Sequence, residues 1–476
     1  MQINSNIEYD NFDFYHMIEK YYKKIEKPYY PYITMSKFID YINDGTLELS
    51  NFLINENKDN HILKELINIG EVRYNFNLID QKDNLDEKLI KLDNLIKSIP
   101  DNLNINEEMN LFKSKSYILC FPFMYYLSYR DYNNKNILVK YNKILTKLFP
   151  ILQTKIPYIK NKSKKKIKIG FIGDKFIYNG AFTSVFRDRS EIIKRLDSNI
   201  FEKILIIDSV IDINTFNPLY KKLYNELIEC VDSVKYIKIS FIESVITLFK
   251  NLNLDILVFT DIGMSSNSVI CGNMRLAPIQ INTWGHSITS GIENMDYFFS
   301  SKLYELDDLN DAQNNYSEKL VALESLCTYY RHFNITEVDY NTLKLDKDKK
   351  YIFCGQTIFK LTKEFLNTVK KIISELDENY EIIFHGGNAS PDFKQNIINN
   401  IKNVKFIESC NLNIFINYIK KSEIILDTYP FGGCNSSLEA FMMNKIIITR
   451  PSDKLPGRFT YGFYKKMGIL DAVVNS

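Results

Sequence analysis

Two kinds of hydrophobic pattern divide the chain near residue 160. Before that point, apolar residues recur at spacings of three and four, for example over residues 62–67 and 85–96. This spacing predicts amphipathic helices. Only two glycines precede Gly170, so there are few turn signals of the kind that separate strands. The pattern therefore predicts an all-helical N-terminal domain over residues 1–160.

After residue 160, short apolar runs rich in β-branched residues alternate with longer segments of helical period. Such runs are typical of buried parallel strands. The predicted strands fall in two sets, separated by a Lys/Asp-rich linker that begins at residue 344. They cover residues 167–173, 203–207, 256–259 and 279–282, then 351–354, 380–384, 404–406, 424–426 and 446–448. We therefore expect an α/β protein with two Rossmann-like domains, over residues 161–343 and 344–476, facing a cleft.

The most informative segment follows the predicted strand 424–426. A Pro/Gly turn leads to small polar residues that can cap a helix starting near Leu438. Free backbone N–H groups and the positive end of a helix dipole then meet at one spot, which suits a phosphate or pyrophosphate. An ordinary β–α turn fits the local pattern equally well. The candidate phosphate-binding residues are Gly432, Gly433, Cys434, Asn435, Ser436 and Ser437.

Glu439 lies about one turn into this predicted helix. An acidic residue near such a junction can accept hydrogen bonds from ribose hydroxyls, as in dinucleotide-binding folds. Glu439 is therefore a candidate nucleotide-binding residue.

Composition narrows the class of protein. The 476 residues carry a net charge of only +2, which gives no general attraction to polyanions and argues against a nucleic-acid partner. The seven cysteines form no C-x-x-C pair, which fits a reducing compartment. The first residues lack the features of a signal peptide, and no run of 18 apolar residues is present. We expect a soluble, cytoplasmic protein without a membrane span.

Several blocks of sequence, in order, resemble glycosyltransferase family 41. That family contains the O-GlcNAc transferases, their bacterial relatives and the protein N-glycosyltransferases that modify bacterial adhesins. The resemblance runs from about residue 167 to the last residue. Its blocks are residues 255–264, 275–280, 284–291, 295–297, 316–320 and 427–475, the last containing Tyr-Pro-Phe-Gly-Gly-Cys-Asn-Ser-Ser-Leu-Glu-Ala.

The resemblance implies a GT-B architecture, meaning two Rossmann-like domains across a cleft. It also implies a metal-independent, inverting enzyme that moves GlcNAc or glucose from a UDP-sugar donor to a protein or peptide acceptor. The one D-x-D pattern, at residues 346–348, lies in the charged linker, so neither a metal nor another cofactor is expected. Without a metal, a lysine and a helix N-terminus must stabilise the departing diphosphate.

Four residues of the second predicted domain complete the donor-site candidates. Lys360 follows the strand 351–354 and matches the phosphate-contacting lysine of the family. Gln356 and Thr357, in the same loop, are candidates for uracil or phosphate contacts. His385 ends the strand 380–384 and is a candidate for lining the donor site.

The catalytic base is harder to assign. Many relatives carry a histidine in the loop after the first catalytic strand, whereas residues 176–183 of this chain contain none. Of five histidines, His286 lies in a small polar loop that is expected to border the cleft. We therefore take His286 as the candidate base and Asp261 as a weaker alternative.

Three alternatives stay open at this point. The missing loop histidine suits a non-catalytic helical scaffold with a degenerate transferase domain. A transferase that uses another donor, such as GDP-fucose, is a second alternative, because the family includes such members. A GT-B epimerase is a third, although the acceptor-side blocks do not support it.

Overall fold

The computed structural model describes residues 85–98, 125–159, 165–173, 177–178, 181–208, 218–237, 242–332, 334–387, 389 and 391–475. The helical prediction for residues 62–67 lies outside these residues, and the loop 176–183 lies only partly within them. The division of the chain into three domains at residues 160 and 343 stays a prediction.

Most of the described residues before 160 are helical, and the helix predicted at 85–96 is confirmed. They form helices α1 (Leu85–Ser98) and α2 (Lys135–Leu148) and the short 3-10 turns Tyr125–Tyr129 and Pro150–Gln153. The apolar stripes of α1 and α2 face each other. Their buried leucines and isoleucines share one core with side chains of the first sheet.

The following half of the chain contains a seven-stranded parallel sheet in the order β5-β4-β1-β6-β7-β8-β9. A short antiparallel hairpin, β2–β3, stands apart from it. The strands are β1 (Ile167–Ile172), β2 (Ile177–Tyr178), β3 (Ala181–Phe182), β4 (Phe201–Asp208), β5 (Ser233–Ile237), β6 (Ile256–Phe259), β7 (Ile279–Thr283), β8 (Tyr297–Ser301) and β9 (Lys319–Leu323). The helices are α3 (Ser184–Arg195), α4 (Pro218–Ile228), α5 (Ile242–Leu252), α6 (Ser266–Asn273) and α7 (Leu309–Gln313).

Both faces of this sheet are covered, which explains why its strands read as continuous apolar runs. On β1, Ile169 and Phe171 pack with Val185 and Phe186 of α3. The next residue, Ile172, points to the opposite face and joins the core shared with α1 and α2. The four strands predicted here from sequence are confirmed, whereas β5, β8 and β9 were not predicted.

The last part of the chain forms a five-stranded parallel sheet in the order β12-β11-β10-β13-β14. All five of its strands were predicted from sequence and are confirmed. They are β10 (Lys350–Cys354), β11 (Tyr380–Gly387), β12 (Val404–Glu408), β13 (Ile424–Leu426) and β14 (Ile446–Ile448). The helices are α8 (Lys363–Glu375), α9 (Pro391–Asn400), α10 (Leu412–Lys421), α11 (Asn435–Met442) and α12 (Phe459–Met467).

The strand order of the second sheet reverses between β10 and β13. In open α/β sheets, ligands bind outside the carboxyl ends of the strands at such a reversal. The loops that follow β10 and β13 carry Lys360 and the Pro/Gly turn, respectively. The topology therefore places the two predicted donor loops beside each other.

Helix α12 joins the two halves. Tyr304, which follows β8, packs edge-on against Phe459 and Phe463 of α12, with ring centroids 5.0 and 5.8 Å apart. The Arg458 guanidinium donates to the backbone oxygens of Tyr304 and Glu305. The seven-stranded and five-stranded halves are thus in direct contact. None of the described helices is both long and apolar enough to cross a membrane.

Candidate functional site

Lys360 lies at the centre of a hydrogen-bonded cluster between the loops after β10 and β13. Its Nζ donates to Gln356 Oε1 at 2.8 Å and to the backbone oxygen of Gly432 at 2.6 Å. Gln356 Nε2 donates in turn to Ser436 Oγ at 2.7 Å. The structure therefore brings together four residues that the sequence marked as donor-site candidates.

A buried carboxylate, Asp427, fixes the shape of the Pro/Gly turn. Its Oδ1 accepts from the backbone N–H of Gly433 at 2.7 Å, and its Oδ2 accepts from Thr449 Oγ1 and Thr460 Oγ1 at 2.9 and 2.8 Å. Sequence reasoning missed this role, although an acidic residue directly after a buried strand was a usable signal. Asp427 ties the turn to β14 and α12.

Position 433 requires glycine because polar side chains approach its backbone closely. A Cβ at this position would come within 2.6 Å of both Gln356 Nε2 and Ser437 Oγ. Any side chain would therefore push apart the polar groups that surround Lys360. The absence of a side chain at Gly433 lets its backbone lie in contact with Gln356 and Ser437.

Helix α11 begins directly after this turn, at Asn435, with Cys434 in the capping position. Ser437 Oγ lies 2.7 Å from Thr460 Oγ1, and Ser436 Oγ is the acceptor for Gln356. The first N–H groups of a helix and its dipole favour an anion, and Lys360 adds a positive charge beside them. This arrangement is chemically suited to a phosphate group.

Burial lowers the pKa of Lys360 to about 8, and attraction to Asp427 opposes that shift. The ammonium also lies 4.6 Å from the centroid of the Phe431 ring. Lys360 is therefore charged at neutral pH but holds its proton less firmly than an exposed lysine. An anion bound beside Lys360 would stabilise the ammonium charge and so offset the hydration that burial removes.

Glu439 and Asn435 make contacts of a different kind, across the junction of the two halves. Glu439 is buried, and its Oε1 accepts from Tyr330 OH at 2.6 Å and from Arg187 Nη1 of α3. Asn435 Nδ2 donates to the backbone oxygen of Ser184 at 3.0 Å. The acidic residue predicted for ribose therefore pairs with a cation, Arg187, that sequence reasoning missed.

His385 and Thr357 are more peripheral in the structure. His385 lies at a bulge near the end of β11, edge-on to Phe415 at 5.8 Å, and burial lowers its pKa. Thr357 is exposed at the start of the 3-10 turn Ile358–Lys360, and its side chain makes no capping hydrogen bond. Their predicted donor contacts stay predictions.

His286 and Asp261 lie on the other half, in loops at the ends of β7 and β6. Asp261 is fully buried, and its backbone oxygen accepts from Ser268 Oγ at 3.2 Å. The His286 ring is 4% exposed and stacks on Tyr125 at 4.3 Å. Burial lowers the pKa of His286 to about 3, despite a hydrogen bond to the Tyr125 backbone. His286 is therefore neutral at physiological pH, and its Nε2 has no hydrogen-bond partner within the described residues.

The loop that carries His286 is braced within its own half. A Cβ on Gly285 would lie 1.7 Å from the backbone oxygen of Thr260, so this position requires glycine. Glu318 accepts from the backbone N–H of Ser290 at 2.8 Å and from the hydroxyl of Thr289. Gly285 thus lets the His286 loop lie against the end of β6, and Glu318 ties the same loop to the start of β9.

A cavity of about 440 Å³, including its open mouth, lies where the helical part and the two halves meet. Its walls carry backbone and side-chain polar groups from all three parts. Among its lining residues are Arg130, Asn133, Thr289, Asn315, Pro430 and Lys454. Pro430 belongs to the donor turn and Thr289 to the His286 loop, so the cavity is flanked by both sets of candidate residues.

Among the residues that the structure describes, no group of three or more His, Cys, Asp or Glu side chains could hold a metal ion.

The two parallel sheets, with a candidate phosphate site at the strand-order reversal of the second, correspond to the GT-B fold. A solved structure has a similar fold. A mutant of the Thermobaculum terrenum O-GlcNAc transferase is similar at 15% identity and a TM-score of 0.64, covering 90% of this chain and 76% of that one.

Weaker likenesses extend to two further structures. S. aureus MnaA, solved with UDP, is 15% identical with a TM-score of 0.36, covering 64% of this chain and 88% of that one. A glycosyltransferase from Rickettsia africae is 13% identical with a TM-score of 0.38, covering 65% and 91%. No protein-family model and no curated protein matches the sequence. The predicted GT-B fold is confirmed by the likeness to the O-GlcNAc transferase structure.

Proposed function

We propose that this chain is a metal-independent, inverting glycosyltransferase that moves GlcNAc or glucose from a UDP-sugar to a protein acceptor. The observation that carries the proposal is the cluster of Lys360, Gln356, Gly432 and Ser436 at the start of α11. In a GT-B fold, this position lies beyond the strand ends, where a nucleotide ligand is expected.

The donor diphosphate binds between Lys360 and the first N–H groups of α11. Lys360 now donates to the carbonyl of Gly432, a neutral acceptor, and a phosphate oxygen is a stronger acceptor for an ammonium group. As the sugar leaves, negative charge grows on the diphosphate, and fixed donors stabilise that charge without reorganisation. Gln356, Thr357, His385 and Glu439 are proposed to contact the nucleoside.

His286 is proposed as the base that accepts the acceptor's proton, with Asp261 as the weaker candidate. Burial keeps the imidazole in the neutral form that can accept a proton, but a pKa of about 3 makes it a weak base, so His286 is proposed for its position in the loop after β7 and not for its basicity. The acceptor polypeptide is proposed to dock at the mouth of the cavity flanked by Thr289 and Pro430. This assignment puts acceptor and donor on opposite sides of one cleft.

Two measurements test the proposal. Thermal melts with UDP and with GDP, each with and without EDTA, should show a stabilising shift with UDP that EDTA does not remove. A ligand that binds only the folded state adds about 2.7 kcal/mol at roughly one hundred times its dissociation constant. A shift that EDTA abolishes would contradict the metal-free proposal.

Turnover is tested by mass spectrometry of a host lysate incubated with UDP-GlcNAc, UDP-glucose or GDP-fucose. We expect a protein-bound hexose or N-acetylhexosamine with a UDP-sugar only. Lys360→Ala serves as the inactive control.

One observation favours a second candidate, a non-catalytic sugar-nucleotide-binding scaffold. Glu439, predicted to contact ribose, is engaged by Arg187 and Tyr330 at the junction of the two halves. A protein that binds UDP but transfers no sugar to any lysate protein would fit this second candidate.

A further inference from the structure

One short segment outside both sheets reaches the two loops that carry the proposed catalytic groups. We call residues Tyr125–Asp131 the bridging segment. At its start, Tyr125 stacks on His286 with an interplanar angle of 24°. At its end, Asp131 accepts from Tyr429 OH at 2.8 Å and from Lys454 Nζ at 2.9 Å. The bridging segment is therefore attached to the seven-stranded half at one end and to the five-stranded half at the other.

Between these ends, Tyr129 packs against the donor loops. Its ring centroid lies 4.7 Å from that of Phe431 and 5.9 Å from that of Phe359. Phe359 directly precedes Lys360, and Phe431 directly precedes Gly432. Lys360 and Gly432 form a hydrogen bond with each other, and Tyr129 contacts the residue that precedes each of them.

Tyr129 itself is held firmly. Its side chain is buried, and its hydroxyl donates to Tyr125 OH at 2.9 Å. Buried aromatic groups in fixed contact restrict the rotamers of their neighbours. Tyr129 therefore packs on the Phe431 ring, whose centroid lies 4.6 Å from the ammonium of Lys360.

We propose that Tyr129 is a positioning residue that holds Lys360 and Gly432 in register, so that anion binding at the second sheet depends on the bridging segment. This inference rests on the proposed function in one respect, namely that the anion is a nucleoside diphosphate. The positioning itself does not require that identity.

The first test compares UDP with uridine by titration calorimetry. Tyr129→Ala should weaken UDP binding about tenfold and leave uridine binding unchanged, since uridine has no phosphate for Lys360 to contact. Tyr129→Phe keeps the ring and should stay within about twofold of wild type. Tyr158→Ala, which removes an exposed tyrosine bonded to Asp255, is the matched control and should have no effect.

A double-mutant cycle shows whether Tyr129 acts through Lys360. In a Lys360→Ala background, Tyr129→Ala should cost no further UDP affinity, because the group it positions is gone. An equal loss in both backgrounds would overturn the proposal. If Tyr129→Ala fails to fold, Tyr129→Leu takes its place with the same expected non-additivity.

A second readout needs no ligand. Competitive acetylation of Lys360, followed by mass spectrometry across pH, reports where its amine loses its proton. The midpoint should rise from about 8 toward that of an exposed lysine in Tyr129→Ala and stay in place in Tyr129→Phe. An unchanged midpoint in folded Tyr129→Ala would overturn the proposal, whereas absence of UDP binding by wild type would count against the proposed function alone.

Discussion

The donor turn and the His286 loop are built in different ways, although each follows a strand of a parallel sheet. The donor turn is held by hydrogen bonds from its own half, since Asp427, Thr449 and Gln356 all lie on loops of the second sheet. The His286 loop is braced by Glu318, but the ring itself is covered by Tyr125 from the helical part. The hydrogen bonds around Lys360 and Asp427 therefore come from one half, with Tyr129 packing on them from outside, whereas the His286 ring is itself covered by the helical part.

The two loops also differ in the charge that their buried titratable groups carry at neutral pH. Burial lowers the pKa of Lys360 to about 8 and that of His286 to about 3. At neutral pH the lysine is charged and the imidazole is neutral. One loop thus offers a cation to an anion, and the other offers an uncharged group.

The largest effect is expected from Asp427→Ala, which removes the internal brace of the donor turn. Four donors, the N–H groups of Thr428 and Gly433 and the hydroxyls of Thr449 and Thr460, would lose this buried acceptor. Each unsatisfied buried donor costs about 1–3 kcal/mol, so we expect a loss of about 4 kcal/mol of unfolding free energy in urea titrations. Asp427→Asn should cost less, because the amide oxygen keeps part of the network. A loss below about 1 kcal/mol would show that the turn does not depend on Asp427.

Lys360→Ala should lower turnover about a hundredfold or more in a protein that still folds. Fixed donors to a developing negative charge are typically worth about 3 kcal/mol in the transition state. The exposed Lys370 of α8 gives a matched control, and Lys370→Ala should leave the rate unchanged. Normal kinetics in folded Lys360→Ala would mean that the diphosphate does not bind here.

The donor turn could be predicted from the sequence, whereas the surroundings of His286 could not. The donor turn was predicted because glycines, capping residues and a β-branched strand are adjacent in sequence, and local turn chemistry decides their structure. Lys360, Gln356 and Ser436 come together because β10 and β13 are neighbours; the sequence predicted both strands but not their order in the sheet.

The missed features depend on contacts between distant parts. Arg187 pairs with Glu439, and Tyr125 covers His286, although neither partner is near the other in sequence. Strand β9 was missed because its side chains are mostly half-exposed at the edge of the sheet, which weakens the apolar run. The local sequence pattern alone reveals neither the two contacts nor this edge strand.

The third prediction sharpens the comparison through pH. Raising the pH from 7 to 9 should weaken UDP binding about tenfold, since Lys360 loses its proton as the pH passes about 8. In Lys360→Arg the cation persists over this range, so the affinity for UDP should not change with pH. Calorimetry at several pH values measures both. A tenfold fall in the arginine variant as well would assign the pH dependence to another group.

The smallest effect concerns His286 in acid. Its pKa is about 3 in the folded protein and about 6.5 when unfolded, so between these values the unfolded chain binds more protons. Stability supplied by the neutral ring is complete above about pH 6.5 and falls as the pH is lowered, by about 1.4 kcal/mol between pH 7.5 and 5.5. His286→Phe keeps a ring for Tyr125 to stack on but cannot titrate, so its unfolding free energy should lack this part of the pH dependence. His332→Phe, at an exposed histidine, is the control and should retain it. Equal slopes for wild type and His286→Phe would mean that His286 takes up a proton in the folded state, and that Tyr125 does not shield it from water.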